Sequence, residues 1–164
     1  MVSAAAVVAK VVDPEMPMLT LHDLGVVRAV EVSDTGAIRV TITPTYSGCP
    51  AIEMMHADLR AALHRAGYPE VEVRTVLSPA WSTDWISAEG RRKLAEHGIA
   101  PPARLGPRPA GPVALTLTPP SSTVHCPRCA SPVTDELSRF GPTPCTALRR
   151  CLACREPFQH LKEI

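Results

Sequence analysis

Cys126-Pro127-Arg128-Cys129 and Cys151-Leu152-Ala153-Cys154 are the stretches on which the reading of this chain turns. Each Cys-x-x-Cys knuckle offers two thiolates to one metal ion, and two knuckles complete a tetrahedral four-cysteine site. Twenty-one residues separate Cys129 from Cys151. The segment that holds them, 123–164, spans roughly forty residues, too few to bury a self-sufficient core, so a metal is the expected staple. Zinc is the first expectation, as one structural ion in a closed site. An iron–sulphur cluster, disulfides and free thiols are the alternatives. Cys145, six positions before Cys151, and His160 are candidate substitute ligands.

Upstream of this zinc-ribbon-like module the chain changes character. Residues 98–122 carry prolines at 101, 102, 107, 109, 112, 119 and 120 and read as a linker, with Val113 to Thr118 as a strand inside it. Residues 1–97 read as a small two-layer α/β domain of order α-β-β-α-β-α. Ser3 to Val12 is alanine- and valine-rich and helical, stopped by Asp13-Pro14. Val26 to Val32 and the alternation of Ile38, Val40 and Ile42 give two strands, joined as a hairpin across Ser33-Asp34-Thr35-Gly36. Pro50 opens a helix whose buried stripe is Ile52, Met55, Leu59 and Leu63. Val71 to Leu77 is a third strand, Trp81 to Trp85 a loop, and Ser87 caps a last helix to about Glu96.

Composition excludes several classes. With 17 basic and 16 acidic residues, the formal charge of +1 disfavours nucleic acid as a partner. The charge is unevenly spread, however. Residues 101–164 hold 8 basic and 4 acidic side chains, and Arg128, Arg149, Arg150 and Arg155 keep a zinc-ribbon nucleic-acid module open as an alternative. No apolar run reaches the roughly 20 residues of a membrane span. The start lacks the charged head and cleavage motif of a secretory leader, and paired cysteines suit a reducing compartment, so a cytoplasmic protein is expected.

The first domain has a second chemical candidate in Cys49. It follows Gly48 and precedes the helix opened by Pro50, where a helix N-terminus favours a thiolate. The competing reading is a small buried residue. His56 lies two helical turns away, too far to form a nucleophilic pair with it, and no catalytic constellation is recognisable. Trp81 and Trp85, with Asp84 between them, read either as a partner-binding anchor or as a lid over the core. Glu53 and His56 have the Glu-x-x-His spacing of a di-iron site, but one pair is half a site.

Asp13-Pro14-Glu15, Asp23-Leu24-Gly25-Val26-Val27 and Tyr46-Ser47-Gly48-Cys49-Pro50 resemble the SufT-like iron–sulphur assembly family. Pro79-Ala80-Trp81-Ser82-Thr83-Asp84-Trp85-Ile86, Gly90 to Leu94 and the tail from Cys126 through Phe140-Gly141-Pro142-Thr143-Pro144-Cys145 to Phe158 narrow the likeness. Over nearly the whole chain the sequence resembles the PaaD (PaaJ) family, accessory subunits of the phenylacetyl-CoA 1,2-epoxidase system. That resemblance implies a part in aerobic phenylacetate degradation, in which a multicomponent monooxygenase forms the ring epoxide. It implies a non-catalytic role in assembling or inserting iron–sulphur or di-iron centres, with the oxygenase and reductase subunits as partners. It makes Cys49 a transient iron or cluster contact, with Asp23 beside it. Members of the family often carry a further cysteine near the end, where this chain reads His160-Leu161-Lys162-Glu163-Ile164. If that cysteine is a ligand, Cys145 or His160 takes its place here.

Overall fold

The computed structural model describes residues 2–106 and 123–163. The strand expected at 113–118 and most of the proline-rich linker lie outside the described residues. The chain forms two compact units that divide between His97 and Gly98.

The first unit follows the order expected from the sequence. Helix α1 (Ala4–Val8) is capped by the Ser3 hydroxyl and buries Ala4 and Val8. It is one turn shorter than the apolar run suggests. Past it, Val11 accepts a backbone bond from Leu21, and Asp13 donates one to Leu19, so the chain folds back on itself. Strands β1 (Val27–Val32) and β2 (Ile38–Ile42) form the antiparallel hairpin. Helix α2 (Ile52–Arg65) buries Met55, Leu59 and Leu63 and carries the chain over to β3 (Val71–Thr75), which pairs parallel with β2. A parallel neighbour requires such a crossover, and α2 supplies it. The sheet order is β1-β2-β3, with Ile38, Val40 and Ile42 of the central strand buried. Thr83–Trp85, expected as loop, is one turn of 3-10 helix, and α3 (Ala88–Glu96) starts at Ser87, whose hydroxyl accepts from Gly90 N–H.

The second unit is a four-stranded sheet of order β4-β7-β6-β5. Strands β5 (Thr134–Ser138), β6 (Thr146–Cys151) and β7 (Pro157–Leu161) are antiparallel neighbours. Strand β4 (Ile99–Ala100) joins β7 in parallel. These two residues stand at the head of the stretch expected as linker. They are buried and hydrogen-bonded into the ribbon sheet, with Ala100 packed in one cluster with Val124, Cys126, Cys151 and Phe158. Two apolar residues ahead of Pro101-Pro102 are too short a signal to be read as a strand in the sequence.

Candidate metal centre

Two matched turns build the site in the second unit. In the first, Cys126 N–H donates to Ser131 O and Ala130 N–H to Cys126 O. In the second, Cys151 N–H donates to Glu156 O, the same five-residue reach. Both turns close through a residue in the left-handed region one place after the second cysteine, Ala130 at φ 58° and Arg155 at φ 66°. The turns bring all four Sγ atoms within 4.8 Å of one another. The Cys126 and Cys154 sulphurs are 3.7 Å apart, and those of Cys129 and Cys151 are 3.5 Å apart. A tetrahedral ion with Zn–S bonds of about 2.3 Å separates its sulphurs by roughly 3.8 Å. An iron–sulphur cluster spreads its thiolates over several iron atoms, which sets the sulphurs farther apart. The spacing and the donor chemistry therefore fit one zinc ion.

Electrostatics point the same way. The Cys154 N–H, with help from Ala153 N–H and the neighbouring thiols, pulls the Cys151 thiol down to about 6. Glu156 N–H acts to lower Cys154, but burial and the three surrounding sulphurs push it up to about 12. Four thiols this close cannot all ionise unaided, and a dication removes that conflict. The bound ion supplies charge neutralisation and a cross-link. Cys126 and Cys151 are buried under the ribbon while Cys129 and Cys154 are exposed. Arg128, inside the first knuckle, forms an ion pair with Glu156, just past the second.

The candidate substitute ligands stand elsewhere. Among the described residues the four paired cysteines are the one convergent metal-binding group, and neither Cys145 nor His160 belongs to it. Cys145 is buried with its sulphur 3.1 Å from the Thr143 hydroxyl. His160 is buried with Nε2 3.5 Å from a Glu163 carboxylate oxygen. Both are held by β6–β7 packing, which fixes them before any ligand role arises.

In the first unit, Cys49 is buried at 7% exposure in the turn ahead of α2, and Ile52 N–H bonds to its carbonyl. The N-terminus of α2 has no side-chain cap. Asp23 is engaged inside the fold. Its Oδ2 accepts from Thr20 N–H at 3.0 Å and from the Lys93 ammonium at 2.7 Å, and its Oδ1 faces the Ser87 hydroxyl at 3.4 Å. Burial alone would raise its pKa, but the Lys93 ammonium and the Thr20 groups outweigh burial and hold it below the usual carboxylate range. Asp23 thus anchors α3, and Asp13, Asp23 and Cys49 form no convergent ligand set. Lys93 lies seventy positions from Asp23, a partner that no local pattern announces. Trp81 corrects the anchor reading. It is 3% exposed, and its indole N–H donates to Leu24 O at 2.9 Å, so it belongs to the core. Trp85 is half-buried under the Arg28 guanidinium, 3.6 Å from the ring centroid, and Asp84 N–H bonds to Ser82 Oγ. His56 Nε2 lies 2.8 Å from the Thr75 hydroxyl on β3.

Fold and site together define a small α/β domain joined to a four-cysteine zinc ribbon. A family model described as iron-sulfur cluster assembly protein matches residues 4–77, and one described as the PaaD zinc beta ribbon domain matches 110–162. The chain is 45% identical, over 96% of its length and 89% of the relative's, to an Escherichia coli K12 protein assigned to the 1,2-phenylacetyl-CoA epoxidase as one of its subunits. It belongs to the PaaD family. Over 51% of this chain and 80% of the relative, it is 33% identical to an Fe-S protein maturation auxiliary factor of Porphyromonas gingivalis. Among solved structures, a DUF59 domain of unknown function from Bacillus anthracis matches 56% of this chain and 87% of that one, at 28% identity and a TM-score of 0.52.

Proposed function

We propose that this chain is an accessory protein of phenylacetyl-CoA 1,2-epoxidase that assembles or inserts iron–sulphur or di-iron centres in its oxygenase or reductase subunit, in the cytoplasm and without catalysing the oxygenation. The observation that carries this reading is the union, along one chain, of an assembly-type domain with a closed zinc ribbon, matched over nearly its full length by a protein assigned as an epoxidase subunit. Two relatives that match about half of this chain bear the name of Fe-S maturation factors. On this reading the iron centre is cargo. Cys49, in the loop ahead of the uncapped α2, is the side chain that meets it, and local opening of the 46–51 turn exposes its sulphur. The ribbon serves as a docking and stabilising module, since a site with four protein ligands has no open position for chemistry.

The test is the iron content of epoxidase subunits coexpressed with and without this chain. Iron that drops only when the chain is missing supports maturation and identifies the client. A second reading, a structural adaptor, is favoured by the burial of Cys49. Unchanged iron with weaker subunit association would replace the first reading by the second. The nucleic-acid alternative loses ground because Arg128, Arg149 and Arg150 are paired with Glu156, Glu136 and Asp135.

A further inference from the structure

Phe140 is the most exposed large apolar side chain among the described residues, at 73%, yet its backbone is fixed from both sides. The Ser138 hydroxyl donates to its carbonyl at 2.9 Å and accepts from its N–H at 3.1 Å. The next residue, Gly141, donates to Thr146 O at 2.8 Å. A Cβ at 141 would run into the Thr146 hydroxyl and lie 3.2 Å from Thr146 Cβ, so the turn closes on β6 only with glycine there. The Lys162 ammonium sits 5.0 Å from the Phe140 ring centroid and bonds to the Arg139 carbonyl at 3.0 Å. Val133, just ahead of β5, and Leu137, within it, are also exposed, and β5 is an edge strand of the ribbon sheet among the described residues. Burying a ring that is already held in place costs little ordering entropy, which is what a binding hot spot requires.

Charge selects the partner. Arg139 is exposed, and neither it nor Lys162 forms an ion pair among the described residues, whereas Arg128, Arg149 and Arg150 are neutralised. An aromatic anchor framed by two uncompensated cations complements an apolar pocket with a carboxylate rim. A nucleic acid would call for more free cations, and a membrane for more apolar side chains than this turn offers. We infer that the Phe140 turn docks this protein, through Phe140, Arg139 and Lys162, into an acid-rimmed apolar pocket on the oxygenase or reductase subunit. The choice of subunits rests on the function proposed above.

Binding of the zinc-loaded full chain to each purified subunit tests this, with Phe140→Ala, Arg139→Glu and, as a control on the other unit, Val32→Ala. Unchanged zinc content confirms that the ribbon of each variant is folded, and an unchanged melting temperature does so for Val32→Ala. We expect Phe140→Ala to weaken binding at least tenfold, Arg139→Glu to weaken it chiefly at low salt, and Val32→Ala to change nothing. Equal affinity for Phe140→Ala and the parent chain overturns the inference. So does a parent chain that binds neither subunit, while the iron measurement still decides the maturation role independently. Vesicles of phosphatidylglycerol and a single-stranded DNA oligonucleotide are run as probes. Phe140-dependent binding to either, with subunit affinity unaffected, overturns it in favour of that surface.

Discussion

At positions 130 and 155 an alanine and an arginine occupy backbone conformations that glycine adopts without strain. A left-handed non-glycine residue costs about 1–2 kcal/mol, and glycine returns part of the gain through its extra freedom when unfolded. Ala130→Gly is therefore expected to stabilise the zinc-bound ribbon by about 0.5–1 kcal/mol, read as zinc affinity about two- to fivefold tighter in a chelator competition. The opposite sign is expected at Gly25, where φ is +67° and an added Cβ would stand 2.6 Å from both Cβ and the carbonyl oxygen of Trp85. Backbone atoms cannot step aside cheaply, so Gly25→Ala should cost about 3 kcal/mol or more in urea unfolding. Trp81→Phe removes the donor to Leu24 O and leaves a buried carbonyl unpaired. A loss of about 1–3 kcal/mol is expected by the same measurement.

Among elements, α3 depends on a carboxylate from far upstream. Ser87 N–H donates to Asp23 O, Lys93 reaches the Asp23 carboxylate, and Gly90 lets the helix approach Asp23 closely. The pKa of Asp23 is lowered by folding, so its contribution is present above the ordinary carboxylate pKa and lost as pH falls through that range. Asp13 has the opposite sign. Burial raises its pKa against two N–H bonds from Met16 and Glu15, so its charge weakens the fold at neutral pH and stops doing so once it is protonated. Asp23→Asn should flatten the acid limb of the stability profile between pH 7 and 3. Asp13→Asn keeps an oxygen acceptor and sheds the charge. It should raise the melting temperature at pH 7, with the gain disappearing on acidification. Melting curves of both variants across that range check the two signs.

For the whole molecule, the two units rest on different forces. The first buries an apolar core that includes Leu19, Leu21, Ile38, Ile42, Leu59, Leu63 and Leu94. In the second, two of the metal ligands, Cys126 and Cys151, belong to the buried core, so its stability is tied to the metal. A strong chelator is expected to release one zinc per chain and to abolish amide-exchange protection over 123–163, while β2 and α2 stay protected. Mass spectrometry of exchanged fragments, beside a zinc assay, reads both results. Loss of protection in both units together would show that the first unit also needs the ion.

The sequence alone determined the metal site and the layered order of the first unit. Ligand chemistry is local at a Cys-x-x-Cys turn, and the alternation of Ile38, Val40 and Ile42 and the stripe Met55, Leu59, Leu63 encode which face is buried. Tertiary structure decided everything that depends on partners distant along the chain. Trp81 became core rather than anchor because Leu24 offers its carbonyl, and Asp23 became a helix anchor because Lys93 arrives seventy positions later. Ile99–Ala100 became a strand because β7 left an edge free for it. Cys145 and His160 lie outside the metal group because the β6–β7 sheet holds them away from the knuckles. Residue type and spacing state what a side chain can do. Packing decides whether it is still free to do it, since a buried polar group is spent on the neighbours that folding brings to it.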